Sequence, residues 1–176
     1  SSTPTRSITN LADTAALKKV LGSGKLSGTV IDVWENEPDI DLELMAKTFL
    51  STPHIAGYST DGKATGTSMV VRSLATHFDL PLKNWYPPDI PKPGQPVLLI
   101  NCKGKTDQSI LAEAVSHTYD IDEDNIKLRF SPSDFEKQRG DYPLRREFKA
   151  YKVNLAGGTK RIGKILEGLG FEIVYS

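Results

Sequence analysis

Glu37 and His54 have the strongest claim to chemistry in this chain. Residues 28–58 read GTVIDVWENEPDIDLELMAKTFLSTPHIAGY. Glu37 falls in a turn just past one apolar run, and His54 in a loop just past the next. If the two runs are neighbouring strands of a parallel sheet, both side chains emerge at the same edge. A carboxylate beside an imidazole favours its charged form and fixes its orientation. Such a pair donates a proton to a carbonyl oxygen or takes one from an alcohol. The residues alone leave a plainer reading open, a turn-capping histidine beside a solvated glutamate. Asp32 sits near the carboxyl end of the first run, where ligands of open α/β sheets bind. For it the alternative is a solvated strand end.

The elements that must position these residues follow from pattern. Asp13 suits the cap of a helix through Leu21, with Leu17, Val20 and Leu21 on one face and Gly22 as the stop. GSGKLSG (22–28) follows a helix and precedes a strand, so it reads as a connecting turn, not a phosphate loop. Residues 29–33 are a short apolar run suited to a strand buried on both faces. Asp41 caps a brief helix, DLELMAKT, with Leu42, Met45 and Ala46 inward, and FLS is a short strand before the histidine loop. Ser59 or Thr60 then caps a longer helix to about Phe78, with Val70, Val71, Leu74 and Phe78 along one side.

Six of the 11 prolines fall within 81–96, which can neither continue a helix nor pair in a sheet. That stretch reads as a stiff linker, with Trp85 and Tyr86 anchoring it to the first module. Beyond it VLLIN (97–101) is a strand and DQSILAEAVSHTY a helix with Ile110, Leu111, Ala114 and Val115 inward. SPSDFEKQRGDY opens a second helix, with Ser133 and Glu136 as a capping box. FKAYKVNL alternates as a strand, Thr159 introduces a helix to Leu169, and FEIVY closes the chain. The expected organisation is α/β throughout, with modules at 1–80 and 97–176 joined by 81–96.

Composition excludes several classes. Lys plus Arg equals Asp plus Glu at 22 each, so the basic excess of a nucleic-acid binder is missing. No apolar run approaches the roughly 20 residues that span a bilayer. The single Cys102 leaves no internal disulfide and no cysteine zinc cluster, which fits a reducing cytoplasm. His77 and His117 have no partners at metal-ligand spacing. Arg139, Arg145, Arg146 and Lys149, interleaved with Asp141 and Glu147, read by themselves as a solvated face of mixed charge.

VIDVWENEP followed by TPHIAGY resembles the NAD-dependent D-2-hydroxyacid dehydrogenases, whose D-V-[FW]-x-x-E-P segment supplies a Glu and whose T-P-H-I-[AG]-G segment supplies a His. TPHIAGY with the downstream GKATGT, and FEKQRGDYPLRREF in the second module, are similar to a narrower branch. That branch oxidises 4-phospho-D-erythronate to 2-oxo-3-hydroxy-4-phosphobutanoate in pyridoxal phosphate biosynthesis and adds a C-terminal dimerisation domain. The resemblance spans residues 12–176. It implies the C-terminal half of a Rossmann-like NAD-binding domain at 1–80, a small α/β dimerisation domain at 97–176, and a cytoplasmic homodimer. It also implies roles: His54 as proton donor and acceptor at the 2-oxygen, Glu37 as its partner, Asp32 and Gly57 as NAD contacts, and Tyr58 as a substrate contact. Arg145 or Arg146 would reach a partner subunit's substrate phosphate.

The pattern also departs from the family. The family Arg that binds the substrate carboxylate falls here at Ile8, with Arg6 two residues away. The glycine fingerprint and a substrate-binding domain have no counterpart in the sequence, so the chain is expected to be a fragment, inactive by itself. The alternatives are another D-2-hydroxyacid dehydrogenase and a non-catalytic dimerisation fragment.

Overall fold

The computed structural model describes residues 13–175; the lead-in at 1–10, with Arg6 and Ile8, lies outside them. The described chain groups into two compact units that do not follow sequence order, 13–56 with 121–142 and 57–120 with 143–175. The Pro-rich stretch runs inside the second of these. The contacts therefore group the chain differently from the linear division at 81–96, because that stretch is tied at both ends to its own unit. The Trp85 carbonyl accepts from Arg72 Nε at 3.0 Å, and the Pro91 carbonyl accepts from Arg146 Nη1. Trp85 is half-buried and Tyr86 exposed.

The first unit is built on two parallel strands, β1 (Val30–Ile31) and β2 (Leu50–Ser51), paired Val30 to Leu50 and Ile31 to Ser51. Helix α1 (Thr14–Gly22) precedes them, with the Asp13 carboxylate accepting from the Ala16 amide. Helix α2 (Leu42–Lys47) makes the crossover, capped by Asp41. Leu44 and Met45 face inward, and Leu42 and Ala46 outward, so the expected inward face is one position off. The strands are also not buried on both sides: Val30 is 59% and nearby Phe49 73% exposed. Two strands and the helices packed on them cover only one face of the pleat.

Helices α5 (Ile121–Phe130) and α6 (Phe135–Gly140) complete this unit. Leu128 and Phe135, both fully buried, pack against Trp34, Ile40, Leu44 and Met45. The pattern-based reading passes over α5, because its buried positions are Asp124 and Leu128 rather than an apolar stripe. Ser133 is not a cap either. It lies in a 3-10 turn, Pro132–Asp134, and α6 starts at Phe135 without a side-chain cap. Polar contacts hold α5 down instead. Arg129 donates to the Met45 and Thr48 carbonyls at 2.9 and 2.8 Å, and Asn125 Oδ1 accepts from the Ser51 amide at 3.0 Å. Arg129 Nε also donates to Asn125 Oδ1 at 2.9 Å and Nη2 to the Thr48 hydroxyl oxygen at 3.0 Å, and four acceptors exceed the three donors of an ammonium. Arg129→Met is expected to cost about 2 kcal/mol, since it strips partners from part-buried carbonyls; a urea-unfolding midpoint measures it.

The second unit holds α3 (Thr60–His77) and a three-stranded parallel sheet of β3 (Val97–Asn101), β4 (Lys152–Ala156) and β5 (Glu172–Tyr175), in that order. Its connections carry α4 (Asp107–Thr118) and α7 (Lys160–Leu169). Ile100, Val153 and Leu155 form its core with Ile110 and Ala114 of α4 and Ile162 and Leu166 of α7. Thr159 caps α7, and Gly170, at φ 107°, ends it in a conformation that favours glycine. The expected strand FKAYKVNL starts late, at Lys152, because Phe148–Ala150 forms a 3-10 turn.

The apolar side of α3 is largely exposed in this chain. Val70, Leu74 and Phe78 are 60%, 51% and 62% exposed, whereas Asp61, Ala64, Ser68 and Ala75 are buried. The buried stripe is made of small residues, which allow close backbone approach. Among the described residues no helix is long and apolar enough to cross a membrane.

Candidate active site

The β1–β2 pairing brings the acidic turn and the histidine loop to one edge, as the sequence suggests. His54 Nδ1 lies 2.8 Å from Glu37 Oε2. The other carboxylate oxygen, Oε1, accepts from the Trp34 amide at 2.7 Å. Glu37 is thus fixed at both oxygens, and its side chain is only 9% exposed against 29% for His54. With Nδ1 occupied by the carboxylate, Nε2 is the ring nitrogen left for a substrate. That is the arrangement of an oriented general acid and base.

Asp32 builds the loop that carries His54. Its Oδ1 accepts from the Thr52 hydroxyl at 2.7 Å and the Ile55 amide at 2.8 Å, and its Oδ2 from the Ala56 amide at 3.0 Å. Its carbonyl accepts from the His54 amide at 2.8 Å. The loop is wrapped round one carboxylate, so Asp32 positions the histidine whatever else it touches. His54 itself sits at φ 54°, in the left-handed region that non-glycine residues seldom enter. Such a conformation persists only where neighbours over-determine it, and the Asp32 bonds supply that.

Two supporting residues belong to the quoted motifs, which assign them no role. Trp34, 2% exposed, donates its indole N–H to the Thr52 carbonyl at 2.9 Å while its amide holds Glu37. Thr52 therefore bridges Trp34 and Asp32. The apolar flank of Trp34 in VIDVWENEP marks it as core but does not reveal the bridge.

Gly57 and Tyr58 begin the second unit. Gly57 has φ 82°, and a side chain there would be strained. Ser59 caps α3, accepting from the Gly62 amide at 2.9 Å. A Cβ on Gly62 would lie 2.7 Å from the Gly57 carbonyl oxygen, so only glycine lets this turn close on the helix start. The Lys63 ammonium lies 4.8 Å from the centre of the Tyr58 ring.

Arg145 and Arg146 are both engaged within their own unit. Arg145 stacks 4.4 Å from the Tyr119 ring, and Arg146 pairs with Asp61. The Cys102 thiol is buried, and burial pushes it up, away from the reactive thiolate. His117 Nε2 lies 2.9 Å from the Gln95 carbonyl oxygen, an ordinary structural bond. Among the described residues no cluster of three or more metal-ligating side chains occurs.

Residues 8–56 match the model of the D-isomer specific 2-hydroxyacid dehydrogenase NAD binding domain. Residues 93–170 match a domain of unknown function, DUF3410. Over 92% of its length the chain is 41% identical to an erythronate-4-phosphate dehydrogenase of Porphyromonas gingivalis, and over 80% it is 45% identical to one of Bacteroides fragilis. The chain is thus similar over most of its own length to these erythronate-4-phosphate dehydrogenases, and over residues 8–56 to the NAD binding domain of the D-isomer specific 2-hydroxyacid dehydrogenases. A third relative, the erythronate-4-phosphate dehydrogenase of Edwardsiella ictaluri, is 36% identical over 92% of the chain. The chain spans about two-fifths of the length of these dehydrogenases, 42%, 38% and 43% of the three. The α/β fold with parallel sheets agrees with the NAD-binding model that the first module matches.

Proposed function

We propose that this chain supplies the acid–base half of an NAD-dependent 2-hydroxyacid dehydrogenase that oxidises 4-phospho-D-erythronate to 2-oxo-3-hydroxy-4-phosphobutanoate, a cytoplasmic step toward pyridoxal phosphate. The observation that carries the reading is the His54–Glu37 pair at 2.8 Å, held on a loop tied to Asp32. His54 Nε2 takes the proton of the substrate's 2-hydroxyl as the alcohol is oxidised, and returns it to the 2-oxo oxygen in reverse. Glu37 stabilises the imidazolium and keeps its ring aimed. NAD, when bound, accepts the hydride from the same carbon.

The residues present fit the reacting end of the cofactor. The acid–base pair stands at the carboxyl ends of two parallel strands, and the Gly57 turn leaves open space where a side chain would stand. In this reading Asp32 and Gly57 line the nicotinamide side and Tyr58 touches substrate, with Asp32 also holding the loop. The pyrophosphate cradle would come from the part of the enzyme that the relatives have and this chain does not span.

The second module is proposed to dimerise. Val97 and Leu99 project from the edge strand β3 at 60% and 64% exposure while Ile100 is buried, which gives that edge an apolar outward row beside Lys152 and Asn154 of β4. The reading is tested by NADH formation from 4-phospho-D-erythronate with the full-length gene product, beside D-3-phosphoglycerate and D-glycerate. Preferential turnover of the four-carbon acid is expected, and no turnover by the 176-residue chain alone. Faster turnover of either other acid would reassign the substrate. A folded dimer without affinity for NAD(H), even at full length, would leave dimerisation as the role.

A further inference from the structure

A pocket of about 450 Å³ lies in the second unit between the Pro-rich stretch and the start of β4. Four cationic side chains border it: Lys92, Arg146, Lys149 and Lys152. Two carboxylates answer them. Glu172, also on the border, pairs with Lys152 at 2.7 Å. Asp61 is shared, at 2.7 Å from Arg146 Nε and 3.4 Å from Lys149 Nζ. Four positive charges against two negative leave two in excess. Lys92 has no carboxylate partner among the described residues, and the Lys149 side chain is 59% exposed while Arg146 is 11%. Arg146 is therefore a fixed part of the wall; Lys92, and Lys149 as the longer and more exposed of the two contacts to Asp61, are the ammonium groups able to turn to a ligand.

The remaining wall is apolar and stiff, with Pro93, Pro96, Val97 and Ala150. Prolines fix the backbone torsion, so this side is preformed. Low-polarity walls strengthen attraction to charge. Tyr151 also lines this pocket, and its hydroxyl stays protonated at neutral pH, because burial raises its pKa further than Arg146 lowers it. Two unmatched positive charges, a hydroxyl donor and an apolar wall in a space of ligand size suit one chemical class.

We propose that this pocket binds a phosphate monoester of a small organic molecule, with Lys92 and Lys149 on the phosphate and the proline wall on the organic body. A phosphate monoester carries close to two negative charges at neutral pH, which matches the excess. The site would serve as an effector or second substrate-phosphate subsite of the second module.

The test is titration of the 176-residue chain with phenyl phosphate, inorganic phosphate and phenol, followed by amide chemical shifts and calorimetry. Saturable binding of phenyl phosphate is expected, with shifts centred on 90–97 and 146–152. Inorganic phosphate should bind more weakly, phenol not at all, and added salt should weaken both anions. The exposed double variant Lys92→Gln/Lys149→Gln should lose at least about tenfold in affinity, with its unfolding midpoint lowered only slightly, since Arg146 and the Glu147 amide still hold Asp61. His54→Gln should leave binding intact, so failure of the acid–base reading does not touch this one. No saturable binding up to about 10 mM, equal affinity in the double variant, or shifts centred on residues 52–58 would overturn the proposal.

Discussion

Replacing His54 with glutamine in the full-length enzyme is expected to lower kcat by about a hundredfold to ten-thousandfold, the usual contribution of a positioned general acid or base. Glutamine has nearly the reach of the imidazole and can still donate to Glu37, so the loop round Asp32 should keep its shape. The loss then falls on proton transfer, and the KM for NAD should change little. Glu37→Gln separates aim from charge. The amide oxygen can still accept from the Trp34 N–H, which lies 2.7 Å from the carboxylate now. Its other end becomes an NH₂ group facing His54 Nδ1, which forces the ring to accept there and puts its proton on Nε2. A ring protonated on Nε2 cannot take the hydroxyl proton. Oxidation then lacks a base, and reduction lacks the imidazolium, because a neutral ring that gave up its Nε2 proton would be left an imidazolate; kcat/KM should fall by the same factor in both directions. Steady-state rates measured both ways decide it: an unchanged kcat/KM in Glu37→Gln would make Glu37 a scaffold only, and an unchanged kcat for His54→Gln would remove the acid–base assignment.

The acid–base pair is legible in the sequence because each member sits in a short loop directly after a strand, with a single helix between. Parallel pairing then leaves little freedom in where the two loops emerge. Asp32 is legible as a residue at a strand end, but its three bonds to Thr52, Ile55 and Ala56 depend on a loop conformation that only the assembled edge fixes. The α/β class and most elements follow from period and capping residues, as at Asp13, Asp41 and Thr159.

Two elements resist such reading for physical reasons. Helix α5 buries Leu128 through packing but anchors itself through Asn125 and Arg129, and hydrogen bonds to distant carbonyls leave no periodic trace. Helix α3 has an apolar row, yet its inward stripe is Ala64, Ser68 and Ala75 around a buried carboxylate. Periodicity locates an apolar face without saying whether this chain covers it. The compact units are likewise hidden, because ion pairing of Asp61 with Arg146 joins segments 85 residues apart.

That ion pair gives the second large effect, a destabilisation of about 3 kcal/mol in Asp61→Ala. The Asp61 side chain is 3% exposed and accepts from Arg146 Nε at 2.7 Å, Arg146 Nη2 at 3.2 Å and the Glu147 amide at 2.9 Å. Removing it leaves a guanidinium only 11% exposed with the Pro91 carbonyl as its remaining named acceptor, and orphans a backbone N–H. Arg146→Met should cost less, since Lys149 and the Glu147 amide still reach the carboxylate. Changing both residues together should cost less than the sum, because the second change removes the charge that the first left bare. Acidity supplies an independent check. Burial alone would raise the Asp61 carboxyl, but Arg146, the Glu147 amide and Lys149 together outweigh it and hold it below the ordinary aspartate value. A depressed folded-state value means the unfolded chain takes up this proton first. The stabilisation is thus complete above about pH 5 and drains away as pH falls through the aspartate range. Urea unfolding at a series of pH values should show a steeper acid loss in the parent than in Asp61→Ala, and parallel slopes would mean that the carboxylate is not paired in solution.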